Sequence, residues 1–174
     1  MKKLRLLVTK ECPLSCSGCC NNDWDLDNLG VFDTKTAADY SLIMITGGEP
    51  LLYPDRLIAL ITDIRTRSCA QIIIYTSTYK IDDLIKVLGV CDGITITLHN
   101  QEQIPTFYKL HNNLLRYGYE HKSKSLRLNV FDGVGIMMPP EIYRHWQVKD
   151  GIKWVKDCPL PENELFLRLP NLWQ

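Results

Sequence analysis

The chain has 174 residues, 20 basic and 20 acidic side chains, 45% hydrophobic residues and 7 Cys. That length suits one domain spanning 1–174, its apolar share argues against wholesale disorder, and its zero formal net charge supplies no general attraction to nucleic acid. No stretch approaches the roughly 18 apolar residues of a membrane span, and the apolar run behind the basic start is too short for a secretory signal core. A cytoplasmic enzyme or binding domain is the expectation, with neither membrane nor nucleic acid as partner.

Leu4 to Thr9 reads as a short buried strand that ends before the Cys12-Pro13 turn. Cys12 to Asn22 is a loop rich in Cys, Ser, Gly and Asn, and Asp23 to Phe32 follows no clear period. Asp33-Thr34 is placed to cap a short helix running to Tyr40. Ser41 to Thr46 is a second apolar strand, broken by Gly47-Gly48-Glu49-Pro50. Pro54-Asp55 then opens a helix in which Leu57, Ile58, Ile61 and Ile64 keep helical spacing.

Strand, helix, strand and helix follow at Gln71–Thr76, Ile81–Leu88, Gly93–Leu98 and Gln101–Tyr117, with another strand at Leu126–Phe131. Strands alternating with helices, without hairpin turns, predict an α/β fold with a mainly parallel sheet. Five or six strands are too few for a closed eight-stranded barrel of roughly 250 residues. The expected architecture is a partial (β/α)6-type barrel. From about residue 132 the chain reads as an irregular C-terminal extension, punctuated by Gly and Pro, with Leu165–Leu169 as a last strand.

The cysteines break this ordinary pattern. Their odd number and the lack of an export signal argue against a full disulfide framework. Cys69, Cys91 and Cys158 are expected to be unpaired thiols, the first two as small core residues. Cys12, Cys16 and Cys19 instead have three and two residues between them, so one loop can wrap all three thiolates round a single centre. Structural zinc usually takes four ligands, commonly as two separated pairs, and iron–sulfur clusters also commonly take four Cys. Three close Cys without a clear fourth suit a cluster with one iron left open to a ligand. A structural zinc site completed by Cys20 or Cys158 is the alternative. Cys20 is otherwise a spare thiol, a ligand to something else, or packing.

Ligands of parallel α/β sheets sit at the carboxyl edge of the strands. Thr76, Ser77, His99, Asn100 and Asn129 fall there. The four His (His99, His111, His121, His145) are too dispersed for a recognisable metal site, and His111 reads as structural. Trp146, Trp154 and Trp173 read as packing residues, or as an aromatic tail that closes over substrate.

The Cys-x3-Cys-x2-Cys loop behind the first strand, with Gly47-Gly48-Glu49-Pro50 behind the second, resembles the radical S-adenosylmethionine superfamily from Leu4 to about Phe131. The resemblance implies that Cys12, Cys16 and Cys19 hold a 4Fe-4S cluster whose fourth iron is chelated by S-adenosyl-L-methionine. It implies reductive cleavage of that cofactor to a 5′-deoxyadenosyl radical, which abstracts hydrogen from substrate, with electrons from a donor such as flavodoxin or ferredoxin. Backbone groups of Gly47, Gly48 and Glu49 would meet the methionine amino group, and Thr76, Ser77, His99 and Asn129 would be further cofactor contacts.

Many members of that superfamily place an aromatic residue before the third Cys, where this chain has Gly18. Cys16-Ser-Gly-Cys19-Cys20-Asn21 with nearby Trp24 is closer to the small activating enzymes of anaerobic ribonucleotide reductase, which act on a protein partner. The segment after Phe131 could instead build a pocket for a small molecule, as in the short enzymes that make 7-carboxy-7-deazaguanine. Those often carry Ser or Thr where this chain has Cys20. A zinc- or cluster-binding module without catalysis is the reading from another class.

Overall fold

Runs of Ile, Leu and Val, whose branched side chains suit a pleated surface, build the strands. In chain order these are β1 (Lys2–Thr9), β2 (Gly30–Val31), β3 (Tyr40–Thr46), β4 (Gln71–Thr76), β5 (Gly93–Leu98), β6 (Ser125–Phe131), β7 (Gln147–Ile152) and β8 (Glu164–Trp173). The computed structural model describes residues 2–118 and 124–174. His121 lies outside the described residues. The eight strands form one sheet in the order β2-β8-β1-β3-β4-β5-β6-β7. Every neighbouring pair is parallel. The sheet is open, as expected of a partial barrel.

The helices are α1 (Pro54–Arg65), α2 (Ile81–Val90), α3 (Ile104–Arg116) and the short α4 (Pro140–His145). Asp33 accepts a hydrogen bond from the Lys35 N–H, but the segment it caps is a 3-10 turn over Thr34–Asp39. Leu57, Ile61 and Ile64 of α1, with Leu84, Val87 and Leu88 of α2, join the buried core. Phe107, Leu110 and Leu114 of α3 complete the helical layer. Leu4, Leu6, Ile43, Ile45, Ile72, Ile74, Ile94 and Ile96 supply the strand side of that core.

Because side chains alternate along a strand, the intervening residues face the other way. These include Arg5, Met44, Tyr75, Thr95, Thr97, Arg127 and Asn129, and they line interior cavities rather than the helical core. One face of the sheet is an oily core and the opposite face is a polar interior.

Two strands have no counterpart in the sequence pattern. β2 has only two residues, both exposed. β7 is mostly exposed, so it lacks the apolar alternation that marks a half-buried strand. The segment after residue 132 is therefore not a loose extension. It supplies β7 at one edge of the sheet, and β8 inserts between β1 and β2. The expected strand at Leu165–Leu169 lies within β8 and pairs with β1 through Leu165, Phe166, Leu167 and Arg168.

His111 is buried, as a structural residue should be, and its Nδ1 accepts a hydrogen bond from the Trp146 indole N–H at 3.1 Å. Burial lowers its pKa and the neighbouring His145 adds to that, while Glu141 opposes. A histidine depressed below its unfolded value of about 6.5 holds fewer protons folded than unfolded. Its contribution is therefore neutral above that pH, and stability falls as pH drops through about 6.5. Melting temperatures taken from pH 8 to pH 5 should show this fall. His111→Gln, which keeps an acceptor but cannot protonate, should flatten that part of the profile.

Candidate metal centre

β1 and β3 lie side by side and end together, which brings the cysteine loop against the Gly-Gly-Glu turn. The Gly48 N–H donates to the Thr9 carbonyl and the Glu49 N–H to the Glu11 carbonyl, both at 2.7 Å. A Cβ on Gly47 would collide with the Thr9 carbonyl, and one on Gly48 with the Glu11 carbonyl. Gly47 also holds φ at +150°, which a larger residue rarely adopts. Close approach of ligand to main chain was the expected reason for these glycines. The contact they visibly make room for is between two segments of the chain. The Asn21 side chain fastens the other end of the loop, donating to the Gly47 carbonyl at 2.8 Å.

Glu49 is almost fully buried, and its carboxylate holds three elements together. One oxygen accepts from the Thr76 hydroxyl at 2.7 Å and the Leu51 N–H at 3.1 Å. The other accepts from the Ser77 N–H at 2.9 Å and the Thr78 N–H at 3.0 Å. Burial pushes its pKa up, and these four donors pull it back down. Its side chain thus clamps the ends of β3 and β4.

Beyond β4, Ser77 Oγ donates to the Thr97 carbonyl and lies 2.8 Å from His99 Nδ1. Gln103 ties this corner together, donating from Nε2 to Ser77 and accepting the His99 N–H at 2.6 Å. Sequence reasoning missed Gln103. Its signal was the Asn100-x-x-Gln103 spacing, which forms a capping box.

A cavity of about 600 Å³ opens over these strand ends. Cys12, Cys16 and Cys19 line it from the loop, and Gly47 and Gly48 from the turn. Thr76, Ser77, His99 and Asn129 line it from β4, β5 and β6. Glu49 does not reach it, because its carboxylate points into the clamp. The three thiols share this wall without converging as on a single ion; among the described residues no group of three or more His, Cys, Asp or Glu does so. Burial raises the pKa of Cys12 and Cys16; Glu49 and Cys19 raise the first further, and Cys12 and Cys19 the second. These shifts favour the neutral thiols, and the three would be held together as thiolates only by a positive centre between them. The buried Trp24 Nε1–H has no partner among the described residues and lines the same space. This donor set fits a sulfur-ligated, electron-rich group.

The model described as the 4Fe-4S single cluster domain matches residues 3–104, more than half of the chain. The chain belongs to that 4Fe-4S single cluster family. No curated protein matches it. The matched span of this 4Fe-4S domain runs from β1 into the start of α3, so it holds the whole cysteine loop and the ends of β3, β4 and β5. Asn129, Trp154 and Cys158 lie beyond it.

Cys158 reaches back to the site. It forms a disulfide with Cys20 across 138 residues, with Cα atoms 5.5 Å apart. This corrects two expectations, that Cys158 is unpaired and that Cys20 is spare, a ligand or mere packing. A bridge between residues so distant leaves no local spacing to read. Cys91 is buried as expected, and burial raises its pKa to about 11. Cys69 is exposed and is not a core residue.

The bridge holds the C-terminal segment over the cavity. Trp154 stacks on His99 with ring centroids 5.2 Å apart, and Phe131 packs against both rings. A Cβ on Gly18 would come within 2.6 Å of the Trp154 ring. The small residue before the third Cys is therefore filled from the far end of the chain. Trp146 is buried against Phe107, and the Trp173 carbonyl accepts from the Thr9 hydroxyl.

A disulfide closing so long a loop contributes about 2–4 kcal/mol. Cys158→Ser should lower stability under non-reducing conditions by that order and speed trypsin cleavage at the already exposed Lys153 and Lys156, by freeing the backbone around them. A melting curve and a digest unchanged from wild type would show that the bridge does not hold this segment.

Proposed function

We propose that the chain is a radical S-adenosylmethionine enzyme. Cys12, Cys16 and Cys19 hold the cluster, and the cofactor lies along Gly47, Gly48, Ser77, His99 and Asn129. The observation that carries this reading is the shared cavity. The three thiols and the Gly-Gly turn line one space at the carboxyl edge of a parallel sheet. A cluster held by three thiolates keeps one iron free, and the polar strand ends are within the same space to receive a chelating ligand. Cys12, Cys16 and Cys19 would hold a cluster that, when bound and reduced, would supply the electron for reductive cleavage of S-adenosylmethionine to methionine and a 5′-deoxyadenosyl radical able to take hydrogen from substrate.

The chain's own residues position and seal this chemistry. Glu49 fixes the turn relative to β4. Ser77 and Gln103 orient His99, and burial lowers the His99 pKa so that its ring stays neutral at pH 7. Trp154 roofs the cavity and keeps water from a reactive radical. That roof, with a second cavity of about 710 Å³ adjoining the first, favours a small-molecule substrate over a protein partner. An external donor such as flavodoxin or ferredoxin supplies the electron.

The test is anaerobic. The protein is loaded with iron and sulfide, reduced with dithionite and mixed with S-adenosylmethionine, and 5′-deoxyadenosine is sought by mass spectrometry. Product from the loaded protein, absent without reductant, is expected. A fully loaded, reduced protein that makes none with any candidate substrate overturns the reading. One bound zinc with no iron–sulfur absorbance would favour a non-catalytic module instead.

A further inference from the structure

A second cavity of about 710 Å³ joins the first beneath the C-terminal segment, the two sharing Tyr75, Asn129 and Trp154. Its charge is one-sided. Arg5, Arg127, Lys149 and Lys153 line it, and among the described residues no Asp or Glu lines either cavity. Two of these cations are matched elsewhere. Arg5 pairs with Glu164 at 2.7 Å, and Lys153 lies 3.7 Å from Asp132. Among the described residues Arg127 and Lys149 have no carboxylate within ion-pair distance. Arg127, among the described residues, spends only Nε, on the Ser125 hydroxyl at 3.2 Å, which leaves its two terminal nitrogens for a ligand.

Thr95 is the independent sign. It is 2% exposed, and its hydroxyl lines this cavity with no hydrogen-bond partner among the described residues. A buried hydroxyl left without a partner is costly, so nearly all find one. Strand register puts the groups together. Tyr75, Thr95, Arg127 and Gln147 are neighbours in one row across β4 to β7, and Asn129 is opposite Lys149 in the next row. Successive inward residues on a strand are about 7 Å apart. The Thr95–Arg127 row therefore lies about that far below the Thr97–Asn129 row, which borders the cysteine cavity.

We propose that this inner cavity binds the oxyanion, a phosphate or carboxylate, of a small organic molecule through Arg127, Lys149 and Thr95. A planar guanidinium matches such a group with two parallel hydrogen bonds. Resting on the function proposed above, that molecule is the substrate. It is anchored at its anionic end, with the remainder reaching up toward the cysteines.

The binding arm needs no turnover. Cluster-loaded full-length protein is titrated calorimetrically with inorganic phosphate and, separately, with malonate, at fixed ionic strength in chloride. Saturable one-to-one binding of at least one is expected, and the tighter of the two identifies the oxyanion. Arg127→Gln should weaken it about 10–100-fold, as expected when a charged hydrogen-bond donor is lost. Lys149→Met changes an exposed side chain and cannot unfold the sheet, and it should weaken binding about tenfold or less. Thr95→Val should cost several-fold. Lys86→Met, on the outer helix α2, should change nothing. No saturable binding of either anion, or binding that survives both Arg127→Gln and Lys149→Met, overturns the proposal. If 5′-deoxyadenosine forms but neither anion binds, the anion site fails and the enzyme reading stands. If the anions bind as predicted but no cofactor is cleaved, the reverse holds.

Discussion

Cys16→Ala, loaded with iron and sulfide under anaerobic conditions, is expected to remain colourless and to make no 5′-deoxyadenosine. Losing even an outer-shell partner of a metal ligand typically costs about 10–100-fold in affinity. Losing one of only three thiolate ligands should exceed that, because the loop offers no free replacement. Cys20 adjoins Cys19 but is committed to Cys158. Cys69→Ala is the matched control, since that thiol is exposed and lies outside the cavity. Iron content and visible absorbance read the result directly. A Cys16→Ala protein that keeps wild-type iron and colour would remove this thiol from the ligand set. The same measurement on Cys12→Ala and Cys19→Ala extends the test to the whole loop.

The second large effect belongs to Glu49→Ala. The substitution strips a buried acceptor from the Leu51, Ser77 and Thr78 N–H groups and from the Thr76 hydroxyl. Thr76 keeps the Thr78 carbonyl at 3.2 Å, so the three backbone donors bear most of the loss. A buried donor left unpaired costs about 1–3 kcal/mol, which puts the sum at about 3–5 kcal/mol or more. Whole domains are stable by only about 5–15 kcal/mol. The melting temperature should fall by about 6–20 °C, by the usual 2–4 °C per kcal/mol for a chain of this size. Glu49→Gln keeps one accepting oxygen and should fall by less. An Ala variant that melts within a few degrees of wild type would mean that the clamp contributes little, and that the turn is held chiefly by its backbone bonds to Thr9 and Glu11.

Much of the fold is legible in the sequence because the central strands are runs of apolar residues broken by Gly, Pro and polar turns. β1, β3, β4, β5 and β6 fall where those runs lie, and α1 and α2 begin at the residues that open their apolar period. β2 and β7 are not legible. They sit at the edges of the sheet, where exposure removes the pattern. Arg127 illustrates a subtler gap. Within Leu126–Phe131 it interrupts an apolar run, and only the sheet reveals that it faces an interior lined with cations and hydroxyls.

The candidate site divides in the same way. Cys12, Cys16 and Cys19 declare themselves through spacing, because a short loop must bring near neighbours together whatever the rest of the chain does. The same local logic marks the Gly47-Gly48-Glu49 turn, although the Glu49 carboxylate turns out to be a clamp. Cys158 and Trp154 depend on where the chain returns. The disulfide partner of Cys20 is 138 residues away, and Trp154 meets Gly18 only because β7 brings the C-terminal segment to the cavity. The odd count of seven cysteines was therefore a sound pointer to a sulfur-ligated centre, and its arithmetic followed from local spacing alone. How many thiols remain free, and what roofs the cavity, depended on tertiary structure. Contacts between distant segments are set by sheet register and packing, and no local period in the sequence encodes them.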